Sequence, residues 1–178
     1  MKLLAIDPGT RHLGWAVYAE GTVVTDGLWE PEWTSPLDYL TQLEKFLQEK
    51  RAEYDFDTLA AEQMFLSFAH GAKSAALLNV SVDQMLAWCK ERALSFHAFS
   101  NGTVKKAVTG DGKADKGLVR RQTIHLVTET TRKAINRMSD AAKTRRDLLE
   151  NVTDAHAIAQ TTIVHLSKPP STTKKGHA

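Results

Sequence analysis

Apolar and polar positions change their period several times along the chain, and each change marks an element. Leu3-Leu4-Ala5-Ile6 is an apolar run closed by Asp7 and the turn-forming Pro8-Gly9-Thr10, which predicts a strand over Lys2–Ile6. Leu13–Tyr18 and Thr22–Trp29 predict two more strands joined by a Glu20-Gly21 hairpin turn, so the chain opens on an antiparallel meander. Ser35-Pro36-Leu37-Asp38 reads as a helix start, with Ser35 as cap, Pro36 at the first helical position and Asp38 as the capping-box acid. Leu37, Leu40, Leu43, Phe46 and Leu47 then recur at helical spacing. Asp57–Glu62 predicts a short strand that ends on an acid, followed by a loop from Gln63 to Lys73. A helix over Ser74–Arg92 carries Leu78, Val82, Met85 or Leu86, and Cys89 on one face, and Leu94–Phe99 alternates as a strand.

The second half is more polar. Asn101–Gly112 reads as a short helix with a glycine turn, and Asp115 caps a helix running toward Val127. Residues 130–146 fit either a helix or a mobile excursion. Asp147–Leu166 is a strong helix whose Leu148, Val152, Ala155, Ala159 and Ile163 keep one apolar stripe. The strand and helix order predicts an α/β fold, a mixed β-sheet flanked by α-helices. It places one domain over residues 1–166, with a basic insertion at about 130–146, and a disordered basic tail over 167–178.

Composition narrows the class. Of the 178 residues 42% are hydrophobic and 25% charged, ordinary for a soluble protein that buries a core. No window approaches the roughly 18 consecutive apolar residues of a membrane span. The opening run turns acidic at Asp7 before a signal-peptide core develops. One cysteine, Cys89, excludes an internal disulfide framework and a multi-cysteine zinc site, and its helical position assigns it to the core. The expectation is a soluble, intracellular, cytoplasmic protein with no membrane partner. The net charge of +2 conceals an asymmetry: residues 1–100 carry 8 Lys and Arg against 14 Asp and Glu, whereas residues 101–178 carry 15 against 7. A basic half points to a polyanionic partner.

Three acids stand out. Asp7 and Glu62 end apolar strands, and Asp154 lies beside the buried stripe of the last helix. One strand-end Asp is an ordinary turn former. Three such acids converging at a sheet edge would repel one another unless a hard cation neutralised them. Asp7-Pro8-Gly9-Thr10 also resembles the phosphate loop of the actin and sugar-kinase superfamily, but those enzymes need two such domains and this chain is too short. Residues 103–116 set Lys105, Lys106, Lys113 and Lys116 around Gly110 and Gly112, with Arg120 and Arg121 on the next helix. Lysines beside a glycine turn and a helix start suit contacts to a phosphate backbone without base reading.

Four segments together resemble the RuvC family of Holliday junction resolvases, in the ribonuclease H-like superfamily. They are Ile6-Asp7-Pro8-Gly9-Thr10-Arg11 with Gly14; Ala61-Glu62-Gln63-Met64-Phe65; Val104-Lys105-Lys106-Ala107-Val108-Thr109-Gly110 with Ala114-Asp115-Lys116; and Asp154-Ala155-His156-Ala157-Ile158-Ala159. The resemblance spans roughly residues 1–127 and 147–166. It implies a homodimeric, Mg²⁺-dependent endonuclease that nicks two opposing strands of a four-way junction, leaving 5′-phosphate and 3′-hydroxyl ends. It implies two metal ions per site, with Mn²⁺ as a substitute, held by Asp7, Glu62 and Asp154. It also places Lys105 and Lys116 near the scissile phosphate, with Lys116 catalytic, and Phe65 on bases at the crossover. Thr10, Lys106, Lys113, Arg120 and Arg121 complete the expected DNA contacts. The Ser74–Arg92 helix matches the family's dimerisation helix, and no helicase partner is legible.

The chain departs from the family pattern twice. The fourth ligand position, three residues before the last Asp, holds Asn151, with Glu150 beside it as a reserve. The stretch between Val127 and Asp147 carries Arg132, Lys133, Arg137, Lys143, Arg145 and Arg146 against Asp140. Two alternatives follow: another ribonuclease H-like nuclease, such as the YqgF-type RNA-processing family or a broader branched-DNA nuclease, and a catalytically silent junction-binding module.

Overall fold

The computed structural model describes residues 1–63, 72–138 and 142–167. Strands β1 (Lys2–Asp7), β2 (Leu13–Ala19) and β3 (Thr22–Trp29) form the expected meander. Its tight turn is Glu20-Gly21, with φ of 51° and 80°, the left-handed backbone a two-residue hairpin requires. Helix α1 (Pro36–Tyr54) begins as expected: Ser35 Oγ accepts from the Asp38 N–H at 3.1 Å. The Asp38 carboxylate reaches one residue further back than a capping box does, to the Thr34 N–H at 2.9 Å.

Strand β4 (Thr58–Gln63), helix α2 (Ala72–Glu91) and strand β5 (Ser95–Ser100) follow, each within two residues of expectation. The sheet order is β3-β2-β1-β4-β5, with β1 and β4, and β4 and β5, parallel. The sheet is therefore mixed, and its two central strands run side by side in the same direction.

Strand alternation divides the core in two. Leu4, Ile6, Leu59 and Ala61 face α1 and α2, packing on Leu43, Leu47, Met85, Trp88 and Cys89. On α2 it is Met85 that turns inward, while Leu86 is exposed. Burial pushes the Cys89 thiol up to about 12, so it is an inert core group. Leu3, Ala5 and Ala60 face the other way, onto Ala155, Ala157, Ile158 and Ala159 of the long helix α6 (Ala142–Leu166) and onto Val104 and Val119.

Val104 belongs to α3 (Asn101–Thr109), which ends on Gly110 at φ 84°, and Val119 to α4 (Lys116–Thr123), capped by Asp115. A single 3₁₀ turn, Ile124–Leu126, leads into α5 (Glu129–Met138). Of the two readings of residues 130–146, a helix or a mobile excursion, the described residues take the helical one. Ile135 is buried with Val127, Leu148 and Val152 in a third small core, and this burial pins α5 against α6. Helix α6 also starts five residues before the expected Asp147. The tail beyond Ser167 and Phe65 lie outside the described residues. Among the described residues no helix is long and apolar enough to cross a membrane.

Candidate active site

The register of the sheet brings the first two acids together. Ile6 pairs with Ala61 across parallel β1 and β4, so Asp7 and Glu62 are the next residues on adjacent strands. Alternation points both toward the α6 face, with Leu3, Ala5 and Ala60. Asp154 arrives from α6 itself.

Helix α6 can approach because of Gly14, the antiparallel partner of Asp7. A Cβ on Gly14 would stand 1.9 Å from the Asn151 carbonyl oxygen and 2.8 Å from the Val152 nitrogen, both main chain. Any side chain there would push α6 off the sheet. One helical turn past this contact lies Asp154, so Gly14 sets the depth at which the third carboxylate sits.

The charges of Glu62 and Asp154 both act on Asp7. Burial first, then the charges of Asp154 and Glu62, hold the Asp7 carboxyl well above the usual carboxylate range, and Lys116 only partly offsets them. Burial, aided by Glu62 and Glu150 and opposed by Lys116 and Lys105, pushes Asp154 up to about 6. Glu62 is raised by burial as well, against a hydrogen bond from Asn101 and the charges of Lys116 and Lys105. Among the described residues no three His, Cys, Asp or Glu side chains close on a single point. Hard carboxylate oxygens that repel one another at partly buried positions fit a divalent cation.

Other expected residues divide. Lys105 and Lys116 reach the field of the acids. Lys113 and Arg121 are exposed. Lys106 instead lines a separate cavity between α3 and the end of α6, with Phe99, Thr161 and His165. Thr10 accepts a hydrogen bond from the Trp33 indole at its main-chain oxygen, 2.6 Å away, which fastens the loop after β1. Glu150 is engaged by Arg120 at 3.3 Å, and Asn151 Nδ2 donates to the Asp147 carbonyl at 3.3 Å.

Two contributions were not legible in the sequence. Asn101 Nδ2 donates to Glu62 Oε1 at 3.0 Å and orients that carboxylate from 39 positions away. Two residues beyond Asp154, His156 is fully buried between Tyr18 Oη, 2.7 Å from Nδ1, and Asp26 Oδ2, 2.8 Å from Nε2. Asp26 also accepts from Thr128 N–H at 2.9 Å and from the Thr128 hydroxyl, and its own carbonyl accepts from Thr131 Oγ1 at 2.9 Å. Burial alone would raise the Asp26 carboxyl, but the hydrogen bonds from His156 and Thr128 win and hold it below its ordinary value. The one signal was an Asp inside a strand, a residue strands disfavour.

Two acids at the ends of adjacent parallel strands, a third on the covering helix, and this strand order define an enzyme of the ribonuclease H-like class. The family profile "Crossover junction endodeoxyribonuclease RuvC" matches residues 3–145. A protein of that description from Sorangium cellulosum is 30% identical over 172 residues, covering 94% of this chain and 85% of the relative. Another, from Maricaulis maris, is 31% identical over 124 residues, covering 67% and 74%. A structure described as "T. thermophilus RuvC in complex with Holliday junction substrate" superposes with a TM-score of 0.69 at 18% identity, covering 93% of this chain and 94% of that one. The yeast mitochondrial Holliday junction resolvase Ydc2 superposes at 0.61 with 13% identity, over 92% and 80%. The chain belongs to the RuvC family of crossover junction endodeoxyribonucleases.

Proposed function

We propose that this chain cuts four-way DNA junctions in pairs of symmetric nicks, with Asp7, Glu62 and Asp154 as its metal-binding carboxylates. The observation that carries the reading is the parallel register that sets Asp7 beside Glu62 on the face covered by α6, where the charge of Asp154 also acts on Asp7. Asp7, Glu62 and Asp154 would hold the divalent metal, Mg²⁺ or Mn²⁺ in its place, which would lower the pKa of an attacking water and neutralise charge at the leaving 3′-oxygen.

The chain's own residues do the rest. Asn101 holds Glu62 in one orientation, so the carboxylate need not be ordered when DNA arrives. Lys116, at the first residue of α4, faces the charge that grows on the phosphate during displacement. Lys105 adds a second cation from α3. Asn151 is taken as the neutral fourth oxygen, with Glu150, which Arg120 engages, as its reserve. Thr10, Lys113, Arg120 and Arg121 contact the backbone of the arms, acting without base reading.

Helix α2 supports a homodimer. Its inner face fills the core with Leu77, Met85 and Trp88, while Val80 and Leu86 remain 47% and 46% exposed on its outer surface. The reading places the enzyme in the cytoplasm. The test is cleavage of a mobile four-way junction with labelled arms, beside linear duplex. Paired nicks in the junction, carrying 5′-phosphates, are expected; equal activity on both substrates refutes junction selectivity. A chain that binds junctions without nicking them in Mg²⁺ would be a silent binding module.

A further inference from the structure

We propose that the groove between α4, α5 and α6 is a second binding site for the DNA phosphate backbone, seating a junction arm beside the cleavage centre. The inference rests on the reading of the chain as a junction nuclease. The groove has a volume of about 400 Å³ and gathers Arg120, Arg132, Arg145 and Arg146 with Asn136 on walls otherwise formed by Ile124, Ile135 and Leu149. Among the described residues that line it there is no carboxylate.

Carboxylates outside the groove meet two of its arginines. Glu150 takes up Arg120 at 3.3 Å, and Asp147 stands 3.8 Å from the Arg146 Nε. Arg132 donates to the main-chain carbonyls of Val127, at 3.2 Å, and Ile124, which anchor it while leaving its charge uncancelled. Guanidinium groups keep their charge at any working pH and offer forked donors that match phosphate oxygens. The walls are held in place, since Ile135 is buried against Leu148 and Val152. The groove is therefore formed before any ligand arrives.

An extended ligand is favoured over a small anion because the groove and the acids lie along one helix. Arg146 and Asp154 are eight residues apart on α6, about 12 Å along its axis. That matches three to four phosphates of one strand at about 3.4 Å of helical rise each. Glu150 lies between them, touching Arg120 in the groove while its charge acts on Asp154. Arg146 is turned about 80° around the helix from Asp154, so a strand cut at the acids would wrap past Glu150 to enter the groove.

The test uses the full chain and a labelled four-way junction, with binding measured in EDTA across 50–200 mM salt. The variants are Arg146→Gln, the pair Arg145→Gln/Arg146→Gln, and Lys105→Ala in the cleavage centre. Each lost phosphate contact should make the slope of log K against log salt shallower by about 0.9. The paired variant should lose about 1.8, so its affinity falls about 12-fold less than wild type between the two salt concentrations. Arg146→Gln alone, at an exposed position, should show half of that slope change with an unaltered unfolding midpoint. Wild-type slopes in both arginine variants, beside a shallower slope for Lys105→Ala, overturn the groove and leave the nuclease reading standing. Wild-type protein that binds junctions no better than duplex and cuts neither overturns both.

Discussion

Asp154→Asn should make the metal-free protein more stable while abolishing cleavage. In the native state burial and the neighbouring acids push Asp154 up to about 6, against 3.8 for the free group. A raised carboxyl binds its proton more tightly folded than unfolded, so this group imposes no penalty below about pH 4. The penalty grows as pH rises through the native value and is complete above about pH 7. Two units correspond to at most about 3 kcal/mol, and the partial exposure of the side chain reduces this to about 1–3 kcal/mol. For a chain of this size that amounts to about 2–10 °C in midpoint. The assay is thermal or urea unfolding followed by tryptophan fluorescence, in EDTA, at pH 4 and pH 8. The variant should exceed wild type at pH 8 and match it at pH 4. Adding Mg²⁺ at pH 8 should raise wild type more than the variant, because binding to the native state alone stabilises it. A variant less stable than wild type in EDTA at pH 8 would refute the claim that these acids are held together against their mutual repulsion.

Three further outcomes follow from the same geometry. Gly14→Ala forces a Cβ into the Asn151 carbonyl, so it should cost about 1–3 kcal/mol and suppress nicking far more than junction binding; full activity in a cleavage assay would show that α6 need not lie this close. His156→Leu strands the buried Asp26 carboxylate and should lower the unfolding free energy by about 3–5 kcal/mol in urea titrations, a loss below about 1 kcal/mol counting against the network. Asn151→Asp should lower the Mg²⁺ concentration needed for half-maximal cleavage, whereas Glu150→Gln should change it little; an inactive Glu150→Gln beside an inert Asn151→Ala would transfer the fourth position to Glu150.

The local elements were legible because short-range physics decides them. The uninterrupted Leu3–Ile6 run, the Glu20-Gly21 turn, the Ser35 and Asp115 caps and the stripe on α6 each depend on neighbours within a few residues. Asp7, Glu62 and Asp154 could be named as candidates because their positions at strand ends and beside a buried stripe are unusual for acids. That they share a field is a property of register and packing alone. It needs Ile6 opposite Ala61, and it needs Gly14 to admit the α6 backbone. The same holds for partners distant in sequence. Asn101 reaching Glu62, and Asp26 meeting His156 across 130 positions, leave no periodic trace, because each bond is chosen by the fold and not by the local chain. Residues 130–138 show the limit most plainly: their polar, basic composition suits a helix or a mobile segment equally. Only the burial of Ile135 against Leu148 and Val152 made them a helix and raised the arginine-lined groove on its flank.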